Sequence, residues 1–195
     1  MLLTGAQLID MPIMSLQTGK ELARTAIAVI NPHNLCVIAY RITGPHLDSD
    51  PSYLRVADIR EMGSLGLIID SSDEFVEPDD IITQKDIYDL QYTLEGKQVV
   101  TTRKKKLGKV GDYVIDIDSF TIEQLLVKRP LLQSFNDNEL LIHRAQIVEV
   151  NDSTIIVKSG DAKAKTATNE PSRHYVNPFR GAAPQTGSAH ADTHD

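Results

Sequence analysis

Tryptophan is missing from this 195-residue sequence, and aromatic residues make up only 5% of it. A folded core must therefore be built mainly from Ile, Leu and Val, which suits small β-barrels. There is a single cysteine, Cys36. It excludes an intramolecular disulfide framework and any Cys-x-x-Cys metal or redox pair, and its place in an apolar strand reads as an inert buried thiol. No apolar run reaches the roughly 20 residues of a membrane-spanning helix, because Asn31, Arg41 and Asp70 interrupt the longest candidates. The opening MLLTGAQLIDMPIM lacks the basic start and clean apolar centre of a secretion signal, so no membrane insertion and a cytoplasmic location are expected.

Signatures of catalysis are also missing. There is no GxSxG, HExxH or GxxxxGK[ST], and Gly108-Lys109-Val110-Gly111 is too short to cradle a phosphate. His33 and His143 have no nucleophile or carboxylate at motif spacing and read as structural. The carboxylates Asp48, Asp50, Asp70, Asp73, Glu74, Glu77, Asp79 and Asp80 lack the glycine-containing loop of a calcium site, so turn chemistry and helix capping account for them. The expectation is a non-enzyme with no cofactor and no metal.

What the sequence does contain is an internal repeat. Leu22–Ile42 aligns with Leu107–Val127 without a gap: Leu22 meets Leu107, Arg24 meets Lys109, Val29-Ile30-Asn31 meets Val114-Ile115-Asp116, and Val37 meets Ile122. Each copy reads as two strands around a polar turn, Asn31-Pro32-His33-Asn34 in the first and Asp118-Ser119 in the second. Further strands are expected at Ile13–Gln17, Leu54–Ile59 and Ser64–Ile69, echoed by Lys97–Thr101, Leu141–Ile147 and Ser153–Val157. The alignment offset changes from 85 to 88 between the halves of the repeat, which places an insertion near Lys128–Asn138. Asn151-Asp152 is a strong two-residue hairpin signal. Between the copies, Pro78-Asp79-Asp80 and the spacing of Ile82, Tyr88 and Tyr92 predict a short helix. After Ser159-Gly160 the apolar pattern stops, and 161–195 reads as a disordered tail.

The pattern Leu107-Gly108-Lys109-Val110 followed by Val114-Ile115-Asp116, a polar turn and an apolar strand, and later IVEVNDSTIIVK, resembles the PRC-barrel family. That domain occurs in the photosynthetic reaction centre H subunit and in ribosome maturation factors. The first copy keeps the pattern with Ala23 for the glycine and Thr25 for the valine. The resemblance implies a small antiparallel PRC-type β-barrel for each copy, so that with the repeat the expectation is a mainly all-β protein of two tandem barrels, 1–78 and 96–160, joined by the helical linker at 79–95. It also implies an adaptor rather than a catalyst. The role expected is a noncatalytic cytoplasmic protein-interaction module. The alternative is an RNA- or ribosome-associated factor of the ribosome maturation type.

Charge indicates where partners would bind. The net charge of −7 is uneven: 1–78 carry 5 basic and 10 acidic residues, whereas 96–160 carry 10 basic and 8 acidic. Nucleic-acid binding would therefore be local to the second repeat. The candidate contacts there are Arg103, Lys104, Lys105, Lys106 and Lys109, point charges that can meet phosphates or an acidic protein face. A second candidate is the island Tyr175, Val176, Asn177, Pro178, Phe179 and Arg180, whose two aromatic anchors suit a short docking motif.

Overall fold

The two aligned stretches form the longest strands of the computed structural model, which describes residues 1–45, 47–77, 92–129 and 139–159. The first half supplies β1 (Leu2–Thr4), β2 (Pro12–Ser15), β3 (Glu21–Asn31), β4 (Cys36–Thr43), β5 (Ser52–Arg55), β6 (Glu61–Gly63), β7 (Gly66–Ile69) and β8 (Phe75–Val76). The second supplies β9 (Gln98–Thr101), β10 (Lys106–Asp116), β11 (Thr121–Lys128), β12 (Glu139–His143), β13 (Ile147–Val150) and β14 (Thr154–Val157). The protein is thus mostly β. Its strands join into one continuous sheet in the order β13-β14-β9-β10-β11-β4-β3-β2-β7-β6, with β1, β5, β8 and β12 branching from it. Among the described residues the strands form an open sheet that runs from one half into the other, rather than the two tandem small antiparallel barrels expected.

The duplication extends to irregularities that sequence alone does not show. The β3–β4 pair shifts register between Thr25 and Ile27 and again between Val29 and Ile30, and the β10–β11 pair shifts at the aligned positions, Val110/Asp112 and Val114/Ile115. Leu35 and Phe120 end their turns with φ of 50° and 51°, a conformation that non-glycine residues adopt rarely and here adopt twice at matching places. The lead-in repeats as well. Asp10 and Gly96 have φ of 59° and 81°, and their N–H groups donate to Thr25 O and Val110 O at 2.9 and 2.8 Å.

Two strand predictions overran. Leu54–Ile59 and Leu141–Ile147 each break into a strand and a 3-10 turn, at Val56–Asp58 and Arg144–Gln146. In the second, His143 Nδ1 accepts from Ala145 N and the Gln146 side chain accepts from His143 N, which satisfies the first N–H groups of the turn. At the matching positions of the first, Arg55 pairs with Asp58 at 2.6 Å.

The halves meet where β4 pairs with β11 through Cys36 and Thr121, which are aligned residues 85 positions apart. Val37 N donates to Phe120 O and Ile122 N to Leu35 O, both at 2.9 Å, so the exchange is symmetric about this junction. Around it a single apolar cluster runs through both halves, including Ile30, Val37, Tyr40, Ile42 and Leu54 with Tyr113, Ile115, Ile122 and Leu125. Tyr40 stacks edge-on against Phe120, with centroids 6.5 Å apart. Arg144 clamps the junction from outside by donating to Asn34 O, Leu35 O and Ile122 O. A third link is β1, which pairs with β10 through Leu2–Asp116, Leu3–Ile115 and Thr4–Val114. The lead-in of the first half therefore serves the second.

Most of the predicted linker (79–95) lies outside the described residues, and its described end, 92–95, is not helical. The predicted insertion (Lys128–Asn138, apart from Lys128 and Arg129) and the tail with Tyr175–Arg180 also lie outside the described residues.

Candidate interaction surfaces

The outward side chains of β3, β4, β5 and β8 follow from their register. Ile27 lies opposite Arg41, Arg41 opposite Tyr53 and Tyr53 opposite Val76, while Val29 lies opposite Ala39. Val29, Ile38, Tyr53 and Val76 pack around the fully buried Ala39 in a small cluster separate from the main core. A strand-pair surface should carry polar residues on its solvent side; this one is largely apolar, and Ile27 is 49% exposed. A groove of about 160 Å³ opens on it, lined by Ile27, Ala28, Val29, Arg41, Tyr53, Tyr92 and Thr93.

Two polar atoms in the groove residues, Arg41 Nε and Tyr92 Oη, are buried and have no hydrogen-bond partner. The other side of the Arg41 guanidinium is held by Asp50 at 2.8 Å. Burial pushes the Tyr92 hydroxyl up to about 12, and the Asp152 carboxylate adds to the effect. The Lys97 ammonium sits 4.2 Å above the Tyr92 ring, a cation–π contact. It also donates to Asp152 O, and burial against these groups lowers its pKa. The groove wall formed by Tyr92 is thereby fixed to the β13–β14 turn.

The predicted basic residues occupy the opposite half. Arg103, Lys104 and Lys105 form the turn between β9 and β10, and Lys106 and Lys109 lie in β10. All five are exposed. The turn is rigidly tied: Lys104 N donates to Thr101 O at 2.8 Å, and Arg103 N to Ser159 Oγ at 3.2 Å. The structure adds Lys128, which lies directly opposite Lys109 across β10–β11, and Arg129 follows it in the chain. Sequence reasoning missed this addition because it depends on register. Of the other residues singled out, His143 is exposed and caps the 3-10 turn, His33 sits in the first hairpin turn, and Cys36 is half-buried, with Sγ 3.5 Å from Thr121 Oγ1. Among the described residues no three His, Cys, Asp or Glu side chains converge, and no helix is long and apolar enough to cross a membrane.

These features define the class as a mostly β protein with two unlike exposed surfaces on a duplicated strand pattern. Residues 86–163 match the PRC-barrel domain family, so the second half of the chain carries a PRC-barrel domain. No curated protein matches the chain.

Proposed function

We propose that the protein is a noncatalytic interaction module made of two PRC-type repeats, and that the outward face of β3, β4 and β5 is its main protein-binding surface. The groove between Ile27, Arg41, Tyr53 and Tyr92 carries this reading. Aromatic residues and Arg beside apolar walls are the composition of interface hot spots, whereas a surface that only meets water has no use for them. The second repeat supports the contrast. At the positions aligned with Ile27, Ile38 and Ala39 it carries Asp112, Glu123 and Gln124, so the strand pattern itself does not demand apolar residues there. The PRC-barrel match is compatible with such a role.

The test is affinity capture from native cytoplasm with the full chain and with Ile27→Glu, a substitution at a half-exposed site that leaves the core untouched. A protein retained by the parent chain in the presence of nuclease, and lost with Ile27→Glu while the urea unfolding midpoint is unchanged, supports the reading. Equal retention by both chains overturns it.

A further inference from the structure

We infer that the β9–β10 turn, together with the facing strands β10 and β11, binds the phosphate backbone of nucleic acid without regard to base sequence. The repeat supplies the argument, because it contains its own control. Arg103, Lys104, Lys105, Lys106, Lys109 and Lys128 align with Thr18, Gly19, Lys20, Glu21, Arg24 and Thr43, so six positive charges stand where the first repeat has a net charge of one. In the first repeat even that charge is neutralised. Arg24 is paired with Glu21 at 2.8 Å and Asp10 at 3.4 Å, and it lies opposite Thr43. In the second, the left-handed position of Asp10 is taken by Gly96, with Glu95 just before it; Lys106 replaces Glu21, and Lys109 lies opposite Lys128, whose other strand neighbour is Glu139. Among the described residues none of the six cations forms an ion pair.

One of these lysines works against the fold, and a second is only partly compensated. Lys109 and Lys128 face each other as like charges, which repel, while Glu139 lies opposite Lys128 on its other side and offsets part of that cost. Lys104 has φ of 62°, where the first repeat has Gly19 at 67°, and a side chain in this left-handed region is strained where glycine is not. The same backbone is built in the first repeat with glycine and a neutral cross-strand partner, so neither lysine is required for folding. A local cost retained on an exposed surface points to a bound partner.

Charge complementarity identifies that partner as a polyanion. Five of the six residues are lysines, and no aromatic side chain lies among them. A protein interface would need desolvated anchors, and stable membrane anchoring would need an apolar or lipid companion to the basic patch. A phosphodiester backbone needs only cations spaced along it. The absence of stacking platforms makes the binding indifferent to base identity. This surface is independent of the Ile27 groove.

The experiment is fluorescence anisotropy of the full chain with a labelled 20-nucleotide single-stranded RNA, titrated with salt. Four to six contacts predict a slope of about −3 to −4 for log Kobs against log salt, at roughly 0.7 per phosphate. The variant Lys104→Gly, Lys106→Glu, Lys128→Thr restores first-repeat residues. It is expected to lower affinity at least tenfold and flatten the slope by about 2, with an unfolding midpoint at or above that of the parent chain. Binding that is absent at low salt, insensitive to salt, or unchanged in the variant overturns the inference. So does equal binding to polyglutamate or tighter binding to phosphatidylglycerol vesicles, which would assign the cluster to an acidic protein or a membrane surface. Loss of the Ile27-dependent partner has no bearing on this result.

Discussion

Replacing Gly108 by alanine should destabilise the protein far more than a single methyl group ordinarily does. Gly108 has φ of +151°, which side-chain-bearing residues rarely adopt. An added Cβ would fall within the envelope of the Lys128 carbonyl oxygen, 2.9 Å from its carbon and 3.0 Å from Val127 Cγ1. The obstacle is the backbone of β11, whose register with β10 is fixed by pairing from Lys109–Lys128 to Asp116–Thr121. It cannot move aside as a rotamer would. Backbone strain of about 1–3 kcal/mol and overpacking of about 1–3 kcal/mol together suggest a loss of roughly 4 kcal/mol. That is a large share of the roughly 5–15 kcal/mol that holds a domain folded. With a urea m-value near 2 kcal/mol/M, the midpoint should fall by about 2 M. The aligned residue Ala23 is the control. It is buried and already carries the methyl group, and Ala23→Gly should cost only about 1–2 kcal/mol, from the lost burial of one methyl and the added unfolded-chain entropy. A Gly108→Ala shift below about 0.3 M, or one no larger than that of Ala23→Gly, would refute the reasoning.

The Tyr92 hydroxyl should titrate near 12 by NMR of its Cζ carbon; because its folded pKa lies above the usual 10.0, the associated stability is present below pH 10 and lost as pH rises toward 12. A midpoint at 10 would show that the ring is solvated. The Asp70 carboxyl, held by Arg60 through bonds of 3.1 and 2.6 Å, should titrate below 3.8, with its contribution present above that value and lost as pH falls through the lowered one. Arg60→Met should return the Asp70 midpoint to the ordinary range, and a midpoint unchanged by the substitution would disprove the pairing. Arg144→Met removes donors to three carbonyls at the junction of the halves and should lower stability by about 2 kcal/mol in urea unfolding; a change under about 0.5 kcal/mol would mean the clamp is replaced by water.

The repeat was legible because strand pairing leaves a period and turns leave polar punctuation, and the 85-residue offset carries both. What escaped was set by contacts distant in sequence. Leu54, Val56 and Ile59 keep an apolar content that suits a strand, and Arg55 and Asp58 between them carry no glycine or proline punctuation, so the 3-10 turn that ends β5 has no distinctive signal in composition. The pairing of Leu2 with Asp116 joins residues that no local pattern connects. Cys36 read as a core thiol, but the symmetric junction turns it toward Thr121 at the surface of contact between the halves. Among candidate sites, the basic cluster was visible as a run of charge. Its extension to Lys128 was not, since only the register places that residue opposite Lys109. The Ile27 groove was missed because Ile27, Tyr53 and Tyr92 come from three separate segments. A signal was nonetheless present: the alignment places Ile27 on Asp112, so an apolar residue stands where the other copy has a charge.

The symmetric junction explains why two repeats in one chain can do what two copies of one repeat cannot. Because Cys36 meets Thr121 and the bonds Val37–Phe120 and Ile122–Leu35 mirror each other, the contact is isologous, the kind by which identical chains form a two-fold dimer. A dimer of identical repeats would display every surface twice. Covalent tandem arrangement keeps the junction and releases each half from matching the other, as Arg144 shows by clamping one side where the aligned residue is Val56. Among the described residues the apolar groove then occurs once and the lysine cluster once. Binding at either surface should saturate at one partner per chain, and a stoichiometry of two by calorimetry would mean that the halves are functionally equivalent despite their different residues.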